Sequence, residues 1–259
     1  MTKKILITGA NGQLGHEMRN ALKGNNRFEC IFTDVAELDI CNAEAVKQTI
    51  ADNHIDYIVN CAAYTQVDKA EDNAELCRKI NTDAVENLAR AAATYGARMI
   101  HISTDYVFNG RGYRPYTEAM TPDPQSVYGS TKLEGEKILT DICPESIIIR
   151  TAWLYSPYGN NFVKTMLHLG KEREELSVVS DQIGTPTCAA DLAQAILVIL
   201  QADTFVPGTY HFSDEGACSW YDFTVTIHRL AGITTCRVTP IRSDEYPSKA
   251  HRPFYSVLD

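Results

Sequence analysis

The start of the chain places the strongest constraint on its fold. Residues 4–8 (KILIT) form an apolar, β-branched run typical of a buried strand, and a turn with Gly9, Gly12 and Gly15 follows. A helical pattern then continues to Leu22. Glycines at this spacing permit a tight turn, a close backbone approach to a pyrophosphate, and tight packing of helix on strand. The sequence therefore predicts a dinucleotide-binding strand–turn–helix unit.

Further along, strand and helix patterns alternate. Strands are predicted at 28–33, 56–60, 98–102 and 147–150, and helices at 42–51, 83–95 and 131–140. After Trp153 the pattern is less regular, with helices predicted at 161–169, 191–200 and 220–230 and strands at 176–179 and 209–212. Alternation of this kind indicates a parallel sheet with right-handed crossovers. We predict an α/β fold: a Rossmann-type doubly wound parallel sheet, mainly in residues 1–152, interleaved with a smaller C-terminal substrate lobe, mainly in 153–259.

The charge balance limits the classes of partner. The net charge of −9, without any run of Lys or Arg, argues against nucleic acid as a partner, because phosphate binding needs clustered cations. The apolar run after Lys3 and Lys4 breaks at Gly9, so it is too short for a secretory signal or a membrane span. We therefore expect a cytoplasmic protein with a small-molecule substrate and no membrane partner.

The cysteines do not form a recognisable metal or disulfide pattern. All 8 are scattered, with no C-x-x-C pair and no His/Cys cluster at zinc spacing. We interpret them as reduced, small apolar side chains, and we predict no bound metal.

An acidic residue follows the second predicted strand, where dinucleotide-binding folds hold the adenosine ribose. Asp34 has this position, and its carboxylate would repel a 2′-phosphate, which favours NADH over NADPH. The alternative is that Asp34 caps a helix or lies in a solvated turn. Other cofactor contacts are expected at Asp39 and Ile40 near the adenine, and at Ala63, Tyr64 and Thr65 after the third strand.

Three side chains together suggest carbonyl–alcohol chemistry. Tyr128 and Lys132 lie four positions apart at the start of a predicted helix, so they share a face, and an ammonium beside a phenol lowers the phenol pKa. Thr104 lies just beyond the C-terminal end of the predicted strand 98–102, at the edge where open α/β sheets bind ligands. The alternatives are a surface Tyr–Lys pair and a threonine that caps a turn. Together the three predict a proton donor, its activator and a group that polarises a carbonyl.

The motifs G-x-x-G-x-x-G, S-T-D-Y-V-F and Y-x-x-x-K resemble the extended short-chain dehydrogenase/reductase superfamily. Longer segments resemble its dTDP-4-dehydrorhamnose reductase family: KILITGANGQLG, VNCAAYTQVDKAE, STDYVFNG, VYGSTKLEGE, RTAWLY, GNNFVKTM, DQIGTPT and RPFYS. This resemblance covers nearly the whole chain. It implies reduction of the C4 ketone of dTDP-4-dehydro-L-rhamnose by NADH or NADPH, in the synthesis of a nucleotide sugar for cell-surface polysaccharide.

The resemblance also assigns residues. It implies cofactor contacts from Gly12, Gln13, Leu14, Asp34, Asp39, Ile40, Ala63, Tyr64, Thr65, Tyr128 and Lys132. For the substrate it implies Thr104, Asp105 and Trp153 at the sugar, and Asn161 and Arg252 at the diphosphate or nucleotide. The alternatives are a core aromatic for Trp153, a helix cap for Asn161 and a solvated charge for Arg252.

Family members continue past R-P-x-x-S into a further helix, and this chain stops at Asp259, so we expect a trimmed or looser C-terminal lobe. Some members form magnesium-dependent dimers through glutamates that have no match here, so a homodimer is considered without a metal.

Two other functions fit the same residues. A related sugar-nucleotide epimerase or dehydratase would recycle its cofactor, but such reactions need further acid and base groups, and Thr104 with Asp105 offers less than the Asp–Glu pair of the dehydratases. A non-catalytic NAD(P)-binding regulatory subunit would keep the fold alone. The intact set of Thr104, Tyr128 and Lys132 speaks against it.

Overall fold

The computed structural model describes residues 2–259, in which strands and helices alternate. The strands are β1 (Lys3–Thr8), β2 (Phe28–Phe32), β3 (Tyr57–Asn60), β4 (Arg98–Thr104), β5 (Ile147–Thr151), β6 (Leu154–Tyr155), β7 (Glu175–Val179), β8 (Ile183–Gly184), β9 (Thr187–Cys188), β10 (Gly208–His211), β11 (Cys218–Ser219) and β12 (Arg237–Ile241). The α-helices are α1 (Gln13–Ala21), α2 (Ala43–Asn53), α3 (Val67–Asp72), α4 (Ala74–Arg78), α5 (Ala84–Tyr95), α6 (Val127–Ile142), α7 (Phe162–Glu172), α8 (Ala189–Gln201) and α9 (Trp220–Leu230). Among residues 2–259, none of these helices combines the length and apolarity needed to cross a membrane.

The main sheet has six strands in the order β10-β5-β4-β3-β1-β2, and every neighbouring pair is parallel. From β1 the chain moves to one side to form β2 and then to the other side from β3 onward. This change of direction opens a crevice at the carboxyl ends of β1 and β3, where open α/β sheets bind ligands. The predicted Rossmann-type, doubly wound class is confirmed.

Alternating side chains of the strands build two cores, one on each face of the sheet. Leu6 and Ile58 face α2, α5 and α6, whereas Ile5 and Ile7 face α1 and α8. All four side chains have no exposed surface. Burial of an aliphatic side chain of this size stabilises a fold by about 1.5–3 kcal/mol, so both faces drive the layered architecture.

The C-terminal half contributes to both parts of the molecule. Helices α7 and α9 pack on β7 and β12, around Met166, Leu176 and Ile227, and form the smaller lobe. In contrast, α8 packs on α1 and β10 extends the main sheet beside β5. The division at residues 152 and 153 therefore remains a prediction about the main content of each part, with residues 189–211 completing the first part.

Several elements differ from the sequence prediction. Helix α6 begins at Val127, ahead of the helix-forming run 131–140 and next to the predicted entrance at Tyr128, because the Ser126 side chain accepts a hydrogen bond from the Gly129 N–H and caps the first turn. Helices α3 and α4 and the π-helical turn Lys79–Asp83 were not predicted, since these short segments carry no extended apolar periodicity.

The C-terminal segment is tied to the rest of the molecule. The Ser256 N–H donates to the Ile183 carbonyl at 2.8 Å, and the Asp259 N–H donates to the Tyr116 carbonyl at 2.9 Å. Ser256, Val257 and Leu258 are buried. The expectation of a looser C-terminal lobe is therefore not met in this segment, because main-chain hydrogen bonds and apolar packing hold it.

Candidate active site

The glycine turn between β1 and α1 has the geometry needed for a bound pyrophosphate. Gly9 has a φ of 63°, and a Cβ there would lie 2.6 Å from the Ala62 nitrogen. A Cβ at Gly15 would lie 2.4 Å from the Gly9 carbonyl oxygen, so helix and turn could not pack as they do. At Gly12 a Cβ would meet only that oxygen, at 3.2 Å, which leaves the backbone open to a ligand. The N-terminus of α1 thus offers free N–H groups to an anion.

Asp34 connects the glycine turn to the end of β2. Its carboxylate accepts hydrogen bonds from the Asn11 N–H at 2.9 Å and from the Val35 N–H at 2.8 Å. The turn role that was considered as the alternative is therefore present. It also fixes the carboxylate beside the glycine turn, where a ribose would lie.

A cavity of about 510 Å³ opens at the carboxyl edge of the sheet and extends towards the smaller lobe. It brings together most of the predicted site residues: Gly12, Gln13, Leu14, Ala63, Thr65, Thr104, Asp105, Tyr128, Lys132, Trp153, Asn161 and Arg252. Six predicted cofactor residues do not line it: Gly9, Gly15, Asp34, Asp39, Ile40 and Tyr64. Of these, Gly9 and Gly15 shape the turn itself.

Of the remaining four, Asp34 lies beside the glycine turn as described above, and the other three have internal partners. The Asp39 carboxylate accepts from the Cys41 N–H, and the buried Ile40 offers its carbonyl to Asn87. The Tyr64 main chain pairs with the Asn81 side chain through both its N–H and its carbonyl. These contacts fix the loops that follow β2 and β3, and any cofactor contact from them stays a prediction.

Tyr128 lies in the first turn of α6 and is 9 % exposed. Its ring packs edge-on against Tyr106, with centroids 5.4 Å apart. Burial raises the pKa of the Tyr128 hydroxyl, and hydrogen bonding with the Thr104 side chain offsets part of that rise. The phenol is therefore protonated at neutral pH, as a proton donor must be.

Lys132 is one turn further along α6 and is 1 % exposed. Its Nζ atom donates to the Ile102 carbonyl at 2.6 Å and lies 3.2 Å from the His101 Nε2 atom. Burial lowers the pKa of Lys132 to about 8. The sequence predicted that Lys132 lowers the pKa of Tyr128. In the structure burial dominates the pKa of Tyr128 instead, and the Lys132 Nζ atom donates a hydrogen bond to the β4 main chain.

Thr104 and Asp105 follow one another at the end of β4. The Thr104 hydroxyl donates to Asp105 Oδ1 at 3.0 Å and accepts from the Tyr106 N–H, so the threonine also caps a turn, as in the alternative interpretation. Asp105 is 2 % exposed, and its Oδ2 atom has no hydrogen-bond partner among the described residues. Burial raises the pKa of this carboxyl to about 6.

An aromatic wall closes the cavity on the side of the smaller lobe. Trp153 has a φ of 47°, a conformation that residues other than glycine rarely adopt, and its indole stacks on Trp220 with centroids 3.4 Å apart. Phe162 packs against the same Trp220 ring. A Cβ at Gly184 would lie 2.4 Å from the Trp153 indole, so a side chain at this position would clash with the ring. Trp153 is therefore a cavity side chain rather than a core aromatic.

Asn161 and Arg252 line the cavity and also hold the protein together. Asn161 caps α7 through the Lys164 N–H, and its amide donates to Gln13 Oε1 at 2.9 Å, which joins the smaller lobe to the glycine turn. Arg252 forms an ion pair with Asp68 at 2.6 Å and donates to the Tyr106 hydroxyl at 3.3 Å. Neither side chain is merely solvated.

Residues 3–259 match the family model described as the RmlD substrate binding domain. The chain belongs to this family. Among related proteins of the RmlD substrate binding domain family, it is 44% identical to the dTDP-4-dehydrorhamnose reductase of Escherichia coli K12, over 98% of this chain and 89% of that protein. The resemblance of the sequence motifs is thereby confirmed.

Solved structures of relatives have the same architecture. The dTDP-4-dehydrorhamnose reductase of Clostridium acetobutylicum superposes with a TM-score of 0.95 at 52% identity, covering 99% of this chain and 90% of that one. The enzyme of Bacillus anthracis in complex with NADP gives a TM-score of 0.96 at 42% identity, covering 100% of this chain and 91% of that one.

In this member of the RmlD substrate binding domain family, sequence reasoning missed several residues of the cavity and its surroundings. Trp220 begins α9 and was predicted only as the start of a helix, although it is one of just 2 tryptophans in the chain. Tyr106 lies within the S-T-D-Y-V-F motif and was given no separate role. His101 reads as an ordinary strand residue because its partners lie on other strands and on α6.

Proposed function

We propose that this chain is a dTDP-4-dehydrorhamnose reductase, which reduces the C4 ketone of dTDP-4-dehydro-L-rhamnose to dTDP-L-rhamnose with NADH or NADPH. The observation that carries this proposal is the convergence of Thr104, Tyr128 and Lys132 in one cavity, beside a glycine turn shaped for a pyrophosphate. The family membership and the names of its relatives supply the substrate class.

The reduced nicotinamide supplies the hydride, and the protein supplies the proton and the alignment. Tyr128 donates its proton to the oxygen that forms at C4, since its raised pKa keeps it protonated. Thr104 hydrogen-bonds to the same oxygen and orients the carbonyl. Lys132, in its charged form, would stabilise the tyrosinate that remains and would hold the ribose of a bound nicotinamide from the cavity wall. The stacked Trp153 and Trp220 form an apolar surface for the sugar ring.

For the cofactor, we infer that both forms are accepted and that NADH is favoured. The Asp34 carboxylate beside the glycine turn would accept the hydroxyls of an adenosine ribose and repel a 2′-phosphate. Among residues 2–259, the Asp34 carboxylate accepts hydrogen bonds only from main-chain N–H groups, so a bound ribose phosphate would displace no salt bridge there.

The decisive experiment is an assay of the purified protein with dTDP-4-dehydro-L-rhamnose and either NADH or NADPH. Stoichiometric oxidation of the cofactor, with dTDP-L-rhamnose identified by NMR, is the expected result. An epimerase or dehydratase would convert a sugar nucleotide without net cofactor consumption. A regulatory subunit would bind the cofactor and leave every keto sugar unchanged. Either result would refute the proposal.

A further inference from the structure

A row of buried polar side chains crosses the main sheet beneath the cavity. Thr8 on β1, Asn60 on β3 and His101 on β4 are neighbours in the strand register. Lys132 on α6 completes this polar row from the adjacent layer. Its four members are at most 1 % exposed. Buried polar groups in a sheet core cost free energy unless each finds a partner, so the direction of each hydrogen bond matters.

The contacts of Asn60 determine which atom donates and which accepts in each hydrogen bond of the polar row. The Ala62 N–H donates to Asn60 Oδ1 at 3.2 Å, and the Thr8 hydroxyl donates to the same atom at 2.6 Å. A main-chain N–H cannot accept, so Oδ1 must be the atom on this side and Nδ2 must face His101 Nδ1, at 3.0 Å. An amide nitrogen only donates. His101 Nδ1 is therefore the acceptor, and the neutral ring carries its hydrogen on Nε2.

This tautomer has a consequence for Lys132. The Nε2–H group of His101 points at Lys132 Nζ, 3.2 Å away. An ammonium has donors only and would oppose another donor, whereas a neutral amine presents a lone pair to Nε2–H and still donates to the Ile102 carbonyl. If the His101 hydrogen were on Nδ1 instead, that N–H group would face the Asn60 Nδ2 donor, and two donors would again oppose each other. A flipped Asn60 amide would place its NH₂ against the Ala62 N–H.

We infer that His101 is a positioning residue that stabilises the neutral amine form of Lys132 by donating a hydrogen bond to it. Its effect on turnover rests on the proposed reductase function, in which the charged form of Lys132 supports Tyr128. The charge of Lys132 itself is a property of the fold and does not depend on any substrate.

The surroundings of Lys132 are consistent with this assignment. Burial lowers the pKa of Lys132 to about 8 and holds the pKa of His101 well below its ordinary 6.5, so the ring stays neutral. Glu136 raises the pKa of Lys132, but its carboxylate is already paired with Arg150 at 2.7 Å. The other titratable groups near this part of the cavity are Cys77, Asp105, Tyr106 and Tyr128.

The first test is to remove the ring of His101 and to titrate Lys132 directly. In protein labelled with ¹³C-lysine, with the Lys132 signal assigned by its loss in Lys132→Met, His101→Phe should raise the pKa of Lys132 by about one unit, the worth of one hydrogen bond. His101→Gln should restore the original value, because its amide accepts from Asn60 and donates to Lys132 in the same order. An unchanged pKa in a folded His101→Phe variant would overturn the inference.

The second test reverses the row. Asn60→Asp replaces the donor facing His101 by an acceptor, so the ring hydrogen moves to Nδ1 and Nε2 accepts from a charged Lys132. The pKa of Lys132 should rise, and by more than in the His101→Phe background, where the new carboxylate acts through its charge alone. Equal increases in the two backgrounds would contradict a role of His101.

The two proposals fail separately. The NMR titrations need neither cofactor nor substrate, so they decide the role of His101 even in a protein without reductase activity. If the reductase function holds, activity is lost as pH rises through the pKa of Lys132, and this limb of the kcat/KM profile moves to higher pH in His101→Phe. A normal titration with no turnover refutes only the proposed function.

Discussion

At the scale of single residues, the proposed proton donor Tyr128 and the Asp105 carboxyl belong to a small set of buried polar groups at the carboxyl end of β4. Tyr128 keeps its proton because burial raises its pKa, and Thr104 lines the same cavity from the end of β4. The chemistry of the cavity therefore depends on single atoms that can be removed without loss of packing.

Tyr128→Phe should lower kcat by about 10²–10⁴-fold, because it removes the proton donor and keeps the ring that packs on Tyr106. Cofactor affinity, measured by fluorescence titration, should change little. Tyr57→Phe is the matched control, since Tyr57 packs on Phe205 at the opposite end of β3. Near-normal turnover of Tyr128→Phe with cofactor bound would rule out the assignment.

Asp105 gives a pH-dependent prediction. Its folded-state pKa is raised from 3.8 to about 6, so between these values the folded protein keeps a proton that the unfolded chain has released. Protonation of Asp105 therefore adds about 3 kcal/mol to the free energy of unfolding. This contribution is present below about pH 4 and is lost as pH rises through about 6. In urea unfolding, the free energy of unfolding of Asp105→Asn minus that of the wild type should increase by about 3 kcal/mol between about pH 4 and about pH 6. A constant difference across this range would contradict it.

Asp34→Asn tests the cofactor preference. Removing the charge while keeping an acceptor for the Asn11 N–H should shift the ratio of kcat/KM values towards NADPH by about 1 kcal/mol, a severalfold change. Glu37→Gln is a suitable control, because its carboxylate accepts from the Asp34 N–H one turn away. An equal shift in both variants would indicate a general effect of charge.

The sequence predicted that Thr104, Tyr128 and Lys132 meet, because strand ends of a parallel sheet share an edge and residues four apart share a helix face. The structure brings them into one cavity. The sequence could not have predicted the stacking of Trp220 on Trp153 or the ion pair between Asp68 and Arg252. These partners are far apart in sequence, and no local pattern encodes their contact.

At the scale of secondary structure, the start of α6 fixes the position of Tyr128, the proposed proton donor. Ser126 accepts from the Gly129 N–H at 3.1 Å, and Glu71 from α3 accepts from the Val127 N–H at 2.9 Å. Two free N–H groups of the first turn are thereby satisfied, one of them by a neighbouring helix. The orientation of Tyr128 therefore depends on α3 as well as on α6.

Ser126→Ala should lower the free energy of unfolding by about 1 kcal/mol and also reduce kcat, because the turn that carries Tyr128 loses its cap. Asn42→Ala, which removes the corresponding cap of α2, should cost a similar free energy and leave kcat unchanged. Chemical denaturation and steady-state kinetics of the two variants make the comparison. Equal kcat values in Ser126→Ala and Asn42→Ala would show that the cap of α6 does not control the position of Tyr128.

The regular elements could be predicted because their periodicity is local. The π-helical turn Lys79–Asp83 could not, because it forms around contacts from outside it. Asn81 hydrogen-bonds to both main-chain groups of Tyr64, and its carbonyl lies so near α6 that a Cβ at Gly135 would approach it to 2.3 Å. Tertiary contacts of this kind override local preference.

At the scale of the whole molecule, a clasp between Asp68 and Arg252 holds the C-terminal segment over the cavity. Asp68 accepts from Ser248 Oγ at 2.7 Å and from the Lys249 and Ala250 N–H groups, in addition to the ion pair. These bonds lower the pKa of Asp68, against the opposing effect of its burial. The clasp therefore loses strength only at acidic pH.

Asp68→Asn should raise the KM for the nucleotide sugar about fivefold and leave the affinity for the cofactor unchanged, because Arg252 loses the partner that orients it. Asp72→Asn is the matched control. Asp72 lies on the same helix as Asp68, and the substitution breaks its exposed ion pair with Lys249. Steady-state kinetics with varied sugar nucleotide provides the measurement. An equal change in both variants would exclude a specific effect of the clasp.

The position of β10 in the main sheet has a consequence for synthesis of the chain on the ribosome. Strand β5 is complete at Thr151, but its outer neighbour is made only when Gly208–His211 emerge. During that interval β5 offers unpaired N–H and C=O groups at the border of a strongly apolar sheet, a template for pairing with other nascent chains. Strand β10 then pairs with this edge, and α8 covers the adjacent face of the sheet beside α1.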